Sequence, residues 1–325
     1  MKPQIIKGNR YFNQDCIQGS RKNIDDDSID LIITDPPYGI DGDKLHRHYN
    51  RDEDYIVDGY VEIPADEYAE FSHQWIKQAE RILKPGGSIY IVSGYTNLYH
   101  ILDALRNTDL EEINHIIWKY NFGVYTQKKY ISSHYHILFY QKPGAERTFN
   151  LYSRYGHNER DKQGGSLNYQ DREDVWIINR EYKPGRKKNK NELPKALLTK
   201  ILQYSSNPGD LVCDLFMGGF STAEAAVGLK RKFVGFEVSE SIFNSGIERI
   251  KKVKEGSLIK TLRKPKHSKP RNQNKPWTDD EKNRLKKRYQ ELLSEYKYKK
   301  NIVKKLCEEF GRGKFGIQRM IKQLT

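Results

Sequence analysis

The run Ile29-Asp30-Leu31-Ile32-Ile33-Thr34 passes straight into Asp35-Pro36-Pro37-Tyr38-Gly39. A strand that is apolar at consecutive positions is covered on both faces, as in a parallel sheet between two helix layers. Two prolines then end the ladder, because neither has an N–H to donate. The same apolar pattern recurs at Ser88–Val92, Ile113–Trp118, His136–Tyr140, Leu211–Leu215 and Phe233–Glu237. Between these runs, helical spacing covers Ala65–Leu83, Leu193–Ser205, Thr222–Gly228 and Ser239–Lys254. The alternation predicts an α/β fold, a mostly parallel sheet with helices on both faces.

Charge narrows the partner. Lys and Arg number 57 against 43 Asp and Glu, a net +14. Such a balance points to a polyanion, nucleic acid before a membrane surface. No apolar run approaches the roughly 18 residues that would span a bilayer, and the first residues lack the apolar core of a signal peptide. Cys16, Cys213 and Cys307 are far apart, so neither a disulfide framework nor a Cys-rich metal site is expected, and a reducing cytoplasm fits.

The basic residues are unevenly spread. Lys251 to Lys275 holds ten Lys or Arg against one Glu, with Pro265 and Pro270, so 255–276 reads as a basic linker. Residues 277–325 read as a small helical module. Thr278 and Glu281 have the spacing of a capping box, and Leu285, Tyr289, Leu292, Leu293 and Tyr296 follow at helical spacing. Ile302, Val303, Leu306 and Phe310 mark a second helix. Phe315, Ile317, Met320, Ile321 and Leu324 mark a third. Three short helices with basic faces fit a helix-turn-helix or Myb-like DNA reader, or a bundle that merely packs on the main domain. Two polar stretches, 142–190 and 41–58, are long enough to read as functional insertions.

Chemistry concentrates in two places. Asp35 is an acceptor at the C-terminal tip of a buried strand, where open α/β sheets bind ligands. The prolines leave carbonyls without local donors, and Tyr38 offers a flat face for a base taken out of a duplex. The second place is Asp214-Leu215-Phe216-Met217-Gly218-Gly219-Phe220-Ser221-Thr222, after the strand LVC. A strand, a Gly turn and a helix start can cradle a nucleoside-type cofactor. Glu237, ending the next strand, can accept from both ribose hydroxyls. The turn is not G-x-G-x-x-G, which argues against NAD.

In this order the two motifs resemble the β-group of DNA amino-methyltransferases, whose D/S-P-P-Y motif precedes the DNA-reading region and whose D-x-F-x-G-x-G-T cofactor motif comes near the end. Further resemblances support it. Asn13-Gln14-Asp15-Cys16 is similar to the family's "GDC" strand end beside the cofactor adenine, and Leu83-Lys84-Pro85-Gly86-Gly87 to its "LKPGG" turn. Ile116-Ile117-Trp118-Lys119 and Ser133 to Leu138 resemble its two strands before the recognition region. Leu193-Pro194 to Asp210 resembles the helix and "PGD" turn before the cofactor motif, and Lys230 to Glu237 its "GRRFIGIE" strand. The likeness covers about residues 5 to 252. The chain departs from the pattern at Phe220, which stands at the second glycine, at Leu215, which replaces a proline, and near Asn189, where the usual His is absent.

The resemblance implies a circularly permuted class I methyltransferase sheet, Rossmann-like, over 1–254, with 142–190 as target-recognition insert. It implies methyl transfer from S-adenosyl-L-methionine to the N6 amino group of a flipped adenine in double-stranded DNA. Asp35, Pro36, Pro37 and Tyr38 are the expected catalytic residues. Asp15, Cys16, Asp214, Phe216, Gly218, Gly219, Ser221, Thr222 and Glu237 are the expected cofactor contacts. His157, Arg160, Lys162, Gln163, Asn168 and Gln170 carry donors for base edges, and Lys264, Lys266 and Arg271 suit phosphates. No metal is required. A homodimer, a cognate restriction endonuclease and a nucleoid-associated cytoplasmic location are further expectations. Cytosine-N4, RNA or protein methylation, and a DNA-binding protein of weak activity, remain as alternatives.

Overall fold

The computed structural model describes residues 2–39, 63–121, 123, 125–181, 192–266, 272 and 274–324. The stretch 41–58, Asn189 and Arg271 therefore lie outside the described residues. The chain divides into two compact units, 1–154 with 169–264, and 155–168 with 265–325.

The larger unit is built on a nine-stranded sheet. Its strands are β1 (Gln4–Ile6), β2 (Asn9–Asn13), β3 (Ile29–Thr34), β4 (Leu83–Ser93), β5 (Glu111–Lys119), β6 (His134–Gln141), β7 (Val175–Ile177), β8 (Leu211–Asp214) and β9 (Lys232–Glu237), in the spatial order β1-β2-β9-β8-β3-β4-β6-β5-β7. The run β2-β9-β8-β3-β4 is parallel throughout. β6 is antiparallel to both β4 and β5. The sheet is thus mixed, and the earliest parallel strand, β2, pairs with the last, β9. That closure is the permutation the motif order implies.

Alternate residues feed two cores. Leu31 and Ile33 face the one built on α5 (Lys195–Ser205), α6 (Ser221–Gly228) and α7 (Glu240–Lys252). Ile32 faces the other, built on α1 (Cys16–Asn23), α2 (Tyr68–Ile82) and α3 (Leu98–Arg106). Every expected strand and helix of this unit appears, with ends shifted by a few residues. Among the elements that went unread are β1, β2 with α1, α3, and β7, which adds a strand beside β5 from inside the expected insert. The expected linker also begins later than 255. Leu258 and Leu262 pack on the first core, around a 3₁₀ turn at Ile259–Thr261, and the Leu258 N–H donates to the Gly228 carbonyl at 2.9 Å. Apolar cover over α6 wins against the local charge.

The smaller unit includes α8 (Asp279–Glu295), α9 (Lys299–Phe310) and α10 (Lys314–Leu324) around one core of Leu285, Leu292, Ile302, Leu306 and Ile317. Thr278 caps α8 through the Glu281 N–H, as its spacing implies. Its hub is Arg312, only 5% exposed. The guanidinium grips both Glu281 carboxylate oxygens, at 2.9 and 2.6 Å, donates to the Asn272 and Pro276 carbonyls, and stacks 4.1 Å from the Trp277 ring centroid. Breaking a buried pair leaves the partner charge stranded, at a cost of about 3–5 kcal/mol. Arg312→Ala should therefore raise amide hydrogen exchange throughout 279–324 by orders of magnitude. In the larger unit, a chain ending at Glu255 should melt below one ending at Lys264, because it loses Leu258 and Leu262; calorimetry on both checks this.

Candidate active site

The sheet's topology gathers the polar groups. β3, β8, β9 and β2 are parallel, so their C-terminal ends share one edge, where Asp35, Asp214, Glu237 and Asp15 stand. The chain diverges between β3 and β8, and ligands of open α/β sheets bind in the crevice beyond such a divergence. A cavity of about 190 Å³ lies there. Asp35 and Pro37 line it, with all nine residues expected to hold the cofactor: Asp15, Cys16, Asp214, Phe216, Gly218, Gly219, Ser221, Thr222 and Glu237. Phe71, Phe236 and Ile242 add apolar wall.

Each carboxylate is placed differently. Asp214 is buried. Its Oδ1 accepts from Thr34 Oγ1 at 3.1 Å and from the Phe216 N–H at 3.0 Å, and Thr222 donates to it as well. Burial pushes it up to about 6 and these donors pull back, so it anchors the turn while bordering the cavity. Glu237 accepts one N–H on each oxygen, from Gly218 at 2.9 Å and Ser239 at 2.8 Å. Each oxygen keeps a lone pair for a ligand hydroxyl. Asp15 is the N-cap of α1, accepting from the Gln18 N–H at 2.9 Å. Cys16 is buried behind it, its thiol held protonated by burial.

Phe220 resolves the departure in the glycine turn. It keeps the left-handed backbone of a glycine (φ 65°) as N-cap of α6, and its side chain leaves the cavity for the core. There it stacks on Tyr11 at 5.7 Å and fills the space over Gly246, where a Cβ would meet the ring at 2.2 Å. The cavity loses nothing to the larger residue. Arg249 secures the same turn by donating to the Gly219 carbonyl at 2.6 Å, while pairing with Glu192 and Glu224.

The Asp35–Gly39 turn is held from outside. Tyr68 donates to the Pro37 carbonyl at 2.8 Å, and Asn97 donates to the carbonyls of Tyr38 and Gly39. Gly39 has φ 59°, and a Cβ there would lie 2.3 Å from the Tyr68 ring. Among the described residues no donor reaches the Pro36 carbonyl. The Tyr38 hydroxyl donates to Asp35 Oδ1 at 2.7 Å. Its ring stacks on Tyr135 at 5.9 Å, and Tyr135 in turn stacks on Trp118 at 5.5 Å. Arg180 lies over Tyr120 and Tyr135 and donates to the Tyr135 hydroxyl at 2.9 Å. Burial pushes Asp35 up to about 7, the Tyr38 hydroxyl opposing; Asp214 adds to the rise and Arg180 counters it. Sequence reasoning missed Arg180, Asn97 and Tyr68, since no local pattern links them to the turn.

The expected base-reading residues are scattered. Lys162, Gln163, Gln170 and Arg160 are exposed and His157 is half-buried, with Arg160 donating to the carbonyls of His157 and Glu159. Asn168 is corrected. It is 5% exposed and its Nδ2 donates to the Tyr155 carbonyl at 3.0 Å, so it braces the loop rather than facing a ligand. Lys264 and Lys266 are exposed. Among the described residues no helix is long and apolar enough to cross a membrane, and no cluster of His, Cys, Asp or Glu is arranged to hold a metal.

A family model described as DNA methylase, of the N6/N4 type, matches residues 29–249. The type II methyltransferase M.HinfI of Haemophilus influenzae is 30% identical over 261 residues, 76% of this chain and 69% of its own. M.HpaI of Haemophilus parainfluenzae is 29% identical, over 70% of each chain. Among solved structures, a putative DNA modification methylase of Thermus thermophilus, complexed with S-adenosyl-L-methionine, superposes with a TM-score of 0.54 at 20% identity, covering 74% of this chain and 93% of its own. The PvuII DNA methyltransferase, cytosine-N4-specific, superposes with a TM-score of 0.58 at 15% identity, covering 80% and 93%.

The raised pKa of Asp35 has a consequence for stability. Its carboxyl ionises near 4 when unfolded and near 7 when folded. Folding therefore favours the proton, and this stability is lost as the pH rises from 4 to 7. Asp35→Asn escapes that loss. At pH 8 it should gain about 1–2 kcal/mol over the wild type, a figure reduced for partial exposure, and the gain should shrink as the pH falls towards 4. Urea denaturation across that range measures it.

Proposed function

We propose that this chain, which belongs to the N6/N4 DNA methylase family, methylates the exocyclic N6 amino group of adenine in double-stranded DNA. The observation that carries the reading is the pair of acceptors at the Asp35 turn. The carbonyls of Pro37, Tyr38 and Gly39 are engaged by protein donors, while among the described residues the Pro36 carbonyl and the second Asp35 oxygen take none. An exocyclic amino group has two protons, and two acceptors match them.

S-adenosyl-L-methionine is the family's cofactor, and the cavity suits it. Asp214 and Glu237 make the cavity acidic, favouring a cationic sulfonium, and Phe216, Phe236 and Ile242 offer apolar surface to a purine. Glu237 is the ribose acceptor. When bound, the cofactor supplies an activated methyl group. The chain's own groups supply geometry and charge. Asp35 and the Pro36 carbonyl draw the two amino protons, pulling the nitrogen towards a tetrahedral shape and freeing its lone pair. Tyr38, fixed by Asp35 on one side and Tyr135 on the other, stacks on the flipped base. Such stacking is worth about 1–3 kcal/mol, and fixed orientation contributes several more to the rate.

Adenine rather than cytosine-N4 rests on Asp at the first motif position, where the family's cytosine enzymes usually carry Ser. Expression in a host without DNA methylation, followed by long-read mapping of modified bases, decides it. N6-methyladenine at a recurring sequence is expected; N4-methylcytosine overturns the adenine reading.

Two variants test the roles. Asp35→Ala should lower transfer by several orders of magnitude with cofactor affinity near wild type. Glu237→Ala should weaken cofactor binding by about 1.5–3 kcal/mol, as for a charged acceptor; calorimetry measures both affinities.

A further inference from the structure

The family match ends at residue 249, so it assigns nothing to residues 265–325. This segment carries 18 Lys and Arg against 7 Asp and Glu, a net +11 of the chain's +14. The helices α9 and α10 are joined by three residues, Gly311-Arg312-Gly313, with Gly311 in the left-handed region at φ 59°. A three- or four-residue turn with glycine between packed helices is the connection that a helix-turn-helix uses. The turn is fixed on both sides of its glycine. Asn272 donates to the carbonyls of Phe310 and Gly311, and Arg312 is locked by Glu281 and Trp277.

The last helix differs from the other two. α8 and α9 both carry carboxylates, and some of these neutralise α8 cations: Arg288 pairs with Glu291 and Glu309, and Lys282 with Asp279. α10 contains no acidic residue. Its Ile317 and Ile321 point into the core, while Phe315, Gln318, Arg319 and Lys322, at helical spacings of three and four, are exposed. Among the described residues no carboxylate pairs with Lys314, Arg319 or Lys322. Phe315 is 78% exposed on this face, where a large apolar side chain marks a contact surface.

We infer that α10 is a sequence-reading helix that enters the major groove of duplex DNA. The face supplies the chemistry that groove presents. Arg319 has the fork for guanine O6 and N7, Gln318 the donor and acceptor for adenine N6 and N7, and Phe315 an apolar surface for a thymine methyl. These three lie in the first turns of the helix, the part that reaches base edges in helix-turn-helix proteins. Lys314 and Lys322 are placed for phosphates. The inference rests on the DNA substrate argued above. It adds a second reading element, separate from the Asp35 site.

The test uses the full chain and selection from a pool of randomised DNA duplexes. Wild type should enrich a sequence of which one part, away from the methylated base, depends on α10. In Gln318→Ala/Arg319→Ala that part should lose preference by about 10- to 100-fold, while transfer at saturating DNA and cofactor affinity stay near wild type. Arg319→Lys keeps the charge and removes the fork, so preference should fall at one position while the salt dependence is unchanged. Lys314→Ala/Lys322→Ala should weaken all sequences alike and flatten the salt slope by about 1.8. Variants that enrich the wild-type sequence with undiminished preference overturn the reading helix, and so does a uniform loss of affinity in Gln318→Ala/Arg319→Ala. If the wild type itself neither binds nor methylates DNA, the substrate assignment fails instead.

Discussion

The parallel pairing of β3 with β8 is the constraint on which the site depends. Leu31 lies beside Val212 and Ile32 beside Cys213, which joins segments some 180 residues apart at the centre of the sheet. Both strands then end at the same edge, one in Asp35 and the other in Asp214. Thr34 Oγ1 donates to Asp214 and ties the two ends together. The chain leaves this pair in opposite directions, towards β4 on one side and β9 and β2 on the other, and the crevice opens between. The turn that carries Asp35 and the turn that carries Asp214 thus border one cavity. The arrangement has an electrostatic cost, since burial raises the proton affinity of both carboxylates and Asp214 raises that of Asp35 further. Three donors offset it at Asp214. At Asp35 the Tyr38 hydroxyl and the more distant Arg180 do so.

The elements legible in the sequence are those whose burial is complete. β3, β8 and β9 are apolar at nearly every position because helices cover both faces, so their runs stand out without any partner being known. β2, Asn-Arg-Tyr-Phe-Asn, has two buried aromatic rings between polar ends and looks like a loop; its strand character comes from lying against β9, which is far away in sequence. β7 is three residues long and owes its place to the edge of β5. α3 has no side-chain cap at its N-terminus. In each case tertiary pairing supplies what local propensity lacks.

The candidate site divides in the same way. Many of the residues that touch the cavity sit in short stretches at strand ends, around Asp15, Asp35, Asp214 to Thr222 and Glu237, and these come to notice in the sequence. Those that hold the motifs in shape do not. Tyr38 is fixed by a ladder of rings, Tyr135 and Trp118, that only the register of β5 with β6 assembles, since Trp118 lies opposite Tyr135. Arg180 joins it from beyond β7. Phe220 shows the converse. As sequence it breaks the glycine pattern and threatens the cofactor loop, yet Gly246 and Tyr11 supply a hole for its ring and the backbone follows the glycine path regardless. Asn168 misleads for a related reason: its amide suits a base edge, but a tight loop uses it first.

The distribution of charge implies a division of labour along the chain. Residues 265–325 hold +11, leaving +3 for the other 264. The cavity edge of the larger unit carries Asp35, Asp214 and Glu237. An edge built that way cannot at the same time be strongly attractive to phosphates, because carboxylates that favour one cation repel a polyanion over the Debye length of about 8–10 Å. Affinity for DNA therefore has to come from somewhere other than the reactive edge. The excess positive charge lies in an appended unit with its own core, to which the inference above assigns DNA contact. Under that assignment the carboxylates of the cavity and the excess basic charge belong to different folding units.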